Sequence, residues 1–349
     1  MTGSEAPGAR YHTSQSGEPE MSAAAAAPPD SGGDGQWVDL PEQWRFTFAG
    51  FYIGAVTLRC LTLLRPLGQP PYPLTPSVFR LLPEGVRALH IPSQTISKNL
   101  PRVSRLGGGI CYVPGQGKRF FIDLNGAFEA YLGKFRKKTR YTMRRKLRLF
   151  SQHSDGPGGW REFRCAADMA EFHRLASEVS RKTYQHRLLR AGIDTSSSFR
   201  DEMVRGASEG QSRGYIMFHQ QTPIAYMFCR ARGTDLVFEK TGFDPSFAAD
   251  SPGSVLLWLV LERLFADGEF HRFDFGDGVY SHKVHLATGS IEVAEIYCFP
   301  WNFRNAALVL THSAVAGASN LLRSALEVFG VAQRLKKMIR YGTGRAVRS

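Results

Sequence analysis

The sequence predicts an α/β fold, and three observations carry that expectation. Between Tyr215 and Phe299, short β-rich runs alternate with apolar helical stretches in the order hairpin, strand, helix, strand, helix, strand. Phe128, Leu132, Phe135, Thr139, Met143, Leu147 and Phe150 recur at three- and four-residue spacing, the period of one helix face. Trp44 to Leu124 is β-rich and cut by Gly and Pro. Composition leaves the class open: 349 residues, 43% hydrophobic and 21% charged, allow a sizeable core and exclude wholesale disorder or a fibrous repeat.

Residues 1–40 are rich in Ala, Gly, Ser and Pro with almost no large apolar side chains, so they are expected to be a disordered leader. Residues 41–127 are expected to form a β-rich sub-domain. Phe46–Ile53 and Val56–Leu64 read as two strands around Gly54, followed by a proline-rich link at 66–76 and further short strands, Phe120–Leu124 among them. A third segment, 128–300, opens with the amphipathic helix. A strand around Phe163 and helices over 167–182 and 196–209 follow it. Tyr215–His219 and Ile224–Arg230 then read as a hairpin, Leu236–Thr241 as a third strand, and Gly253–Ala266 as a helix ended by Gly268. Phe270–Phe275 is a short strand, Ser281–Ala287 a helical turn and Ile291–Phe299 a last strand. Residues 301–349 read as a basic tail with helical segments near 305–316 and 319–340.

The net charge of +13 is concentrated. Residues 131–150 hold nine Lys/Arg and no acid, residues 301–349 hold eight against Glu327 alone, and the remaining 280 residues sum to −3. Two basic patches on a near-neutral body imply local anion contacts and argue against a globally basic nucleic-acid protein. Five scattered cysteines, without a Cys-x-x-Cys pair, fit a reducing cytoplasm better than a disulfide framework. Neither a signal peptide nor a transmembrane span is expected.

Two motifs bear on chemistry. After Phe243-Asp-Pro, the run Ser251-Pro-Gly-Ser-Val opens a helix, so backbone N–H groups of Gly253, Ser254 and Val255 are expected to point out of a positive helix end, an anion site. A well-capped helix, with Ser251 as N-cap and Pro252 at N1, is the plainer reading. In Phe273-Asp-Phe-Gly-Asp-Gly, Asp274 stands at a strand end, followed by glycines and then Lys283, which together suggest a polar site. The Asp-Phe-Gly string is shared with protein kinases, but the His-Arg-Asp loop and the Gly-rich phosphate loop are absent upstream. Gly115-Gln-Gly-Lys lacks the Walker spacing. His282, His285 and Cys298 lack a fourth ligand, so no metal is expected.

The basic run from Arg136 to Arg148, Phe243-Asp-Pro with Ser251-Pro-Gly, and Asp274-Phe-Gly with Lys283 resemble the bacterial GNAT-like acyltransferases of the cellulose-biosynthesis CelD/BcsL type, distant relatives of the FemAB transferases. The resemblance covers about residues 90–300. It implies a GNAT-like mixed sheet flanked by helices, with room for a degenerate N-terminal GNAT-like half. It also implies an acyl-CoA donor, typically acetyl-CoA, and an amine of a small molecule or saccharide as acceptor. By position, Ser251, Gly253 and Ser254 would cradle the pyrophosphate, and Asp274, Gly276 and Lys283 match family positions. The family's Tyr before that Lys is His282 here, with Tyr280 two residues earlier, which leaves the general acid open.

Direct transfer would further require a backbone oxyanion donor from the strand at 236–241 and a base, for which Glu239 is the candidate; an ion pair of Glu239 with Lys240 or Arg230 is the plainer reading. The alternatives are aminoacyl transfer from charged tRNA, with the 134–148 helix on RNA, and a non-catalytic scaffold in polysaccharide or envelope assembly. The apolar stretch 319–340, with Arg334, Lys336, Lys337 and Arg340, is compatible in each case with peripheral contact to an anionic membrane.

Overall fold

The computed structural model describes residues 35–48, 51–153, 159–183, 192–276 and 281–328. Strands β1 (Gln36–Phe48) and β2 (Phe51–Leu64) form a long antiparallel hairpin. The chain reverses between Phe48 and Phe51, not at the expected Gly54; Gly54 lies inside β2 opposite Phe46, next to a register shift. Strands β3 (Ala88–Thr95), β4 (Val103–Leu106), β5 (Gly109–Tyr112) and β6 (Gln116–Asp123) follow. Gly107, at φ +53, turns β4 into β5, a conformation open to glycine at little cost.

The expected single helix over 128–150 is two helices, α1 (Phe128–Gly133) and α2 (Lys137–His153). Between them Phe135 turns into the core, and its N–H bonds to Leu132 O, one residue short of helical spacing. After β7 (Trp160–Phe163), helices α3 (Ala166–Lys182) and α4 (Ser197–Ser208) fall close to their expected bounds. Ser196 caps α4 by accepting from Phe199 N–H.

Strands β8 (Ser212–His219) and β9 (Thr222–Arg232) are joined by Gln220 and Gln221, both at positive φ, the two-residue turn whose twist suits a hairpin. β10 (Asp235–Phe243), α5 (Pro252–Asp267) and β11 (Arg272–Asp274) come next. Gly268, at φ +62, ends α5 with its N–H on Leu264 O. The described residues close with α6 (Ser281–Leu286), β12 (Gly289–Pro300) and α7 (Phe303–Val328), which runs unbroken through the expected gap near residue 317; most of the leader expected at 1–40 and the tail from 329 lie outside them.

The twelve strands of the described residues belong to one mixed sheet in the order β1-β2-β3-β12-β6-β11-β10-β9-β8-β7, with β5 also on β12 and β4 on β5. Among the described residues only β2–β3 and β10–β11 pair in parallel. Strand alternation divides the core by face. On one face Phe120, Ile122, Leu236 and Phe273 pack with α1, α2 and α5. On the other, Phe163, Ile216, Tyr226 and Phe228 pack with α3 and α4. Helix α5 is apolar nearly all round because it is buried nearly all round: Val255, Leu256, Trp258, Val260 and Leu261 are all in the core. β12 pairs with β3, β5 and β6, so the sheet runs without interruption across the boundary expected at 127/128.

Candidate functional site

The site begins where two strands part. β10 and β11 pair only from Asp235–Val237 to Arg272–Asp274; β10 then continues to Phe243 while β11 stops. Beyond Val237 the β11-facing edge of β10 has no strand partner among the described residues, and a bulge at Glu239 shifts its register on β9. Gly276 closes the apex of the split. It sits at φ +68, and a Cβ there would stand 2.9 Å from Phe238 O, so the position admits glycine alone without movement.

Helix α5 starts at the open end, where Phe243 Cδ1 lies 3.6 Å from the Cβ position of Gly253. Ser251 enters the helix in the left-handed conformation, φ 55 and ψ 50, and its side chain makes no cap to the helix N–H groups. Its carbonyl accepts instead from Ser254 N–H at 2.9 Å and Val255 N–H at 3.1 Å. The three free donors expected from the sequence are therefore one: among the described residues Gly253 N–H alone of these has no acceptor. The Val255 side chain belongs to the core. Ser251 Oγ is taken by Lys146, whose Nζ donates to it at 2.9 Å from α2. A cation thus stands at the positive end of α5, a feature that the sequence reading missed. The basic run flagged Lys146 only as one charge among nine, and nothing local indicates which of them reaches residue 251.

The two sequence-selected carboxylates are both held by arginine. Glu239 accepts from Arg230 Nε at 3.2 and 3.3 Å, with Arg232 3.6 Å away, so the ion pair named as the plainer reading is present. Asp274 is 2% exposed. Arg119 Nε spans both its oxygens at 2.9 and 2.8 Å, and Gly276 N–H donates to Oδ1 at 2.8 Å. Asp274 therefore fastens the Gly276 turn to β6, a structural duty that sequence position alone did not suggest. Lys283 lies on α6 and is buried.

Pleat alternation turns Asp235 and Val237 away from α5, toward a small polar cavity lined by Arg65, Ser93, Arg119, Arg232, Asp235 and Asp274. Asp235 is bonded by Arg272 Nε at 2.9 Å and Leu67 N–H at 2.7 Å; burial nevertheless pushes its carboxyl above the usual range. Burial likewise lowers the Arg232 guanidinium, with Glu239 pulling the other way. Among the described residues no three His, Cys, Asp or Glu side chains group as metal ligands. His285 lies against the Phe135 ring, and Cys298 Sγ lies 2.9 Å from Cys111 Sγ across the β12–β5 pair.

Residues 137–284 match the family model described as acetyltransferase (GNAT) domain. The architecture is accordingly a GNAT-like α/β fold, a large mixed sheet flanked by helices. No curated protein matches the chain by sequence. Among solved structures, the chain is similar to the C-terminal domain of a protein described as a lysylphosphatidylglycerol synthetase from Agrobacterium fabrum, at 13% identity over 69% of this chain and 76% of that one, TM-score 0.44. It is similar to FemX at 11% identity over 78% and 90%, TM-score 0.43. A GCN5-related N-acetyltransferase from Kribbella flavida matches at 9% identity over 75% and 90%, TM-score 0.37.

Proposed function

We propose that this protein is an acyl-CoA-dependent N-acyltransferase that transfers an acyl group, acetyl in the simplest case, directly to an amine of a small-molecule or saccharide acceptor. One observation carries the reading: Lys146 and the unbonded Gly253 N–H converge on the N-terminus of α5, at the open end of the β10–β11 split. An anionic pyrophosphate suits that combination of ammonium, amide donor and helix dipole. A thioester laid into the split would find the unpaired edge of β10, whose backbone N–H groups can stabilise the developing oxyanion; one such donor is worth about 3–4 kcal/mol. Orientation in a ternary complex supplies the rest of the rate without a covalent enzyme intermediate.

Glu239 is the candidate base, raised on the bulge beside the split, and Arg230 and Arg232 hold it in place. Asp274 serves the site through the Gly276 turn, and Lys283 is carried as the family-matched cation on α6. The general acid, with Tyr280 and the His282 side chain as its candidates, lies outside the described residues. The exposed arginines and lysines of α2, among them Lys137, Lys138, Arg144 and Arg145, support the second reading, aminoacyl transfer from charged tRNA.

Calorimetric titration of acetyl-CoA into the full chain tests the donor. Micromolar binding is expected, weakened more than tenfold by Gly253→Asp and several-fold by Lys146→Met. No binding to the parent protein would end the acyl-CoA reading. Turnover with acyl-CoA that survives ribonuclease would exclude charged tRNA as the donor of the main reaction.

A further inference from the structure

Helix α7 turns one face to the sheet and leaves an apolar stripe exposed on the opposite one. Its inward face, through Asn305, Val309, His312 and Ser319, packs on β1 and its neighbours. Opposite, Phe303, Ala307, Leu310, Ala314, Ala318 and Leu321 are all exposed, at spacings of four and three residues that keep them within one arc of the helix. The large members stand far out of the protein: Phe303 is 87% exposed, Leu310 64% and Leu321 75%, with the neighbouring Trp301 at 59%. A surface helix ordinarily turns a polar face to water; this one presents a stripe about 27 Å long at 1.5 Å per residue.

Charge identifies the occupant. Directly after α7, residues 329–349 contain six Lys/Arg and no Asp or Glu, and Arg304 is exposed at the start of the helix. Among the described residues no helix is long and apolar enough to cross a membrane. An apolar helical stripe with aromatic residues at one end and a cationic cluster immediately beyond the other has the chemistry of an interfacial helix on anionic lipid. A second copy fits less well, because side-by-side parallel packing of two α7 stripes would bring two cationic tails together. We propose that the outward face of α7 docks on an anionic bilayer surface with the helix lying in the interface, the positive charge of the sequence that follows it giving the preference for anionic lipid. The stretch expected at 319–340 lies for the most part outside the described residues; the stripe lies on 303–321, and in the sequence the cations follow it.

Co-sedimentation of the full chain with vesicles tests this. Binding to phosphatidylcholine vesicles containing 30% phosphatidylglycerol is expected to exceed binding to phosphatidylcholine alone by more than tenfold and to weaken as salt is raised. The double variant Leu310→Glu/Leu321→Glu should lose more than tenfold in affinity at an unchanged unfolding temperature. Arg334→Gln/Lys336→Gln/Lys337→Gln, which leaves the helix untouched, should lose the preference for anionic vesicles. Equal binding to both vesicle types, or no binding, overturns the proposal. So does retained binding in the double variant, or a concentration-dependent dimer in light scattering that the double variant dissolves without any vesicle binding.

Discussion

Arg119 and Asp274 are 155 residues apart in the chain, and their pairing sets what the Asp-Phe-Gly motif can do. Both are buried, and removing one charge strands the other in low dielectric. Asp274→Asn is therefore expected to cost about 3–5 kcal/mol in urea unfolding; a loss under 1 kcal/mol would return Asp274 to the list of groups free to act on substrate. Gly276→Ala places a methyl against Phe238 O at a left-handed φ and should cost about 1–2 kcal/mol while lowering turnover, since the apex of the split must shift. Glu239→Gln makes the opposite demand. A base should lose about 10²–10⁴-fold in kcat with its pH profile flattened, whereas a purely structural partner of Arg230 would change stability and leave kcat alone. Glu239 and Asp274 were singled out by position in the strand order; Arg230 was named for Glu239 as one of two alternatives, whereas Arg119 was not named for Asp274, because nothing local in a β-strand marks a partner on another strand.

The elements that recur by period were legible, and those shaped by contacts were not. Helices α3, α4 and α5 follow from spacing and from Gly268 as a stop, while the Ser196 cap of α4 emerged with the structure. Ser196→Ala should lower stability by about 1 kcal/mol in thermal unfolding, through the orphaned N–H of Phe199. The break between α1 and α2 escaped the periodic reading. Phe135 keeps the right spacing from Leu132 and is buried as expected, yet it reaches the core through a tight turn. The bulge at Glu239 and the αL entry at Ser251 have no residue signature, since neither position is Gly, Asn or Asp.

At the scale of the whole molecule, β12 ties the N-terminal strands to the rest of the sheet, and the seam carries a titratable group. His90 on β3 has Nδ1 3.2 Å from Glu42 of β1 and Nε2 3.3 Å from Glu295 of β12, with the Tyr297 ring stacked at 4.2 Å. Burial alone would lower the imidazole, but hydrogen bonds and charge from Glu295 and Glu42 reverse that and raise it. For a raised folded-state value, the stabilisation is complete below the ordinary histidine value of about 6.5 and is lost as pH rises through the folded one. The unfolding temperature should therefore fall as pH increases from about 6 toward 9, and His90→Gln should flatten that slope; an identical slope in the variant would remove His90 as its source. Glu295, held low by His90 despite burial, acts in the other direction and loses its contribution as pH falls through its own lowered value.

The α/β class, the order of elements from β8 to β12 and the start of a helix just after Ser251 are all written in local pattern, because periodicity, caps and turn residues act over a few positions. It took the folded chain to show that Ser254 and Val255 spend their N–H groups on Ser251, that Lys146 brings a charge there, and that arginines occupy both candidate carboxylates. Those outcomes depend on which strands become neighbours, and a rung between residues 119 and 274 leaves no trace in the spacing of either.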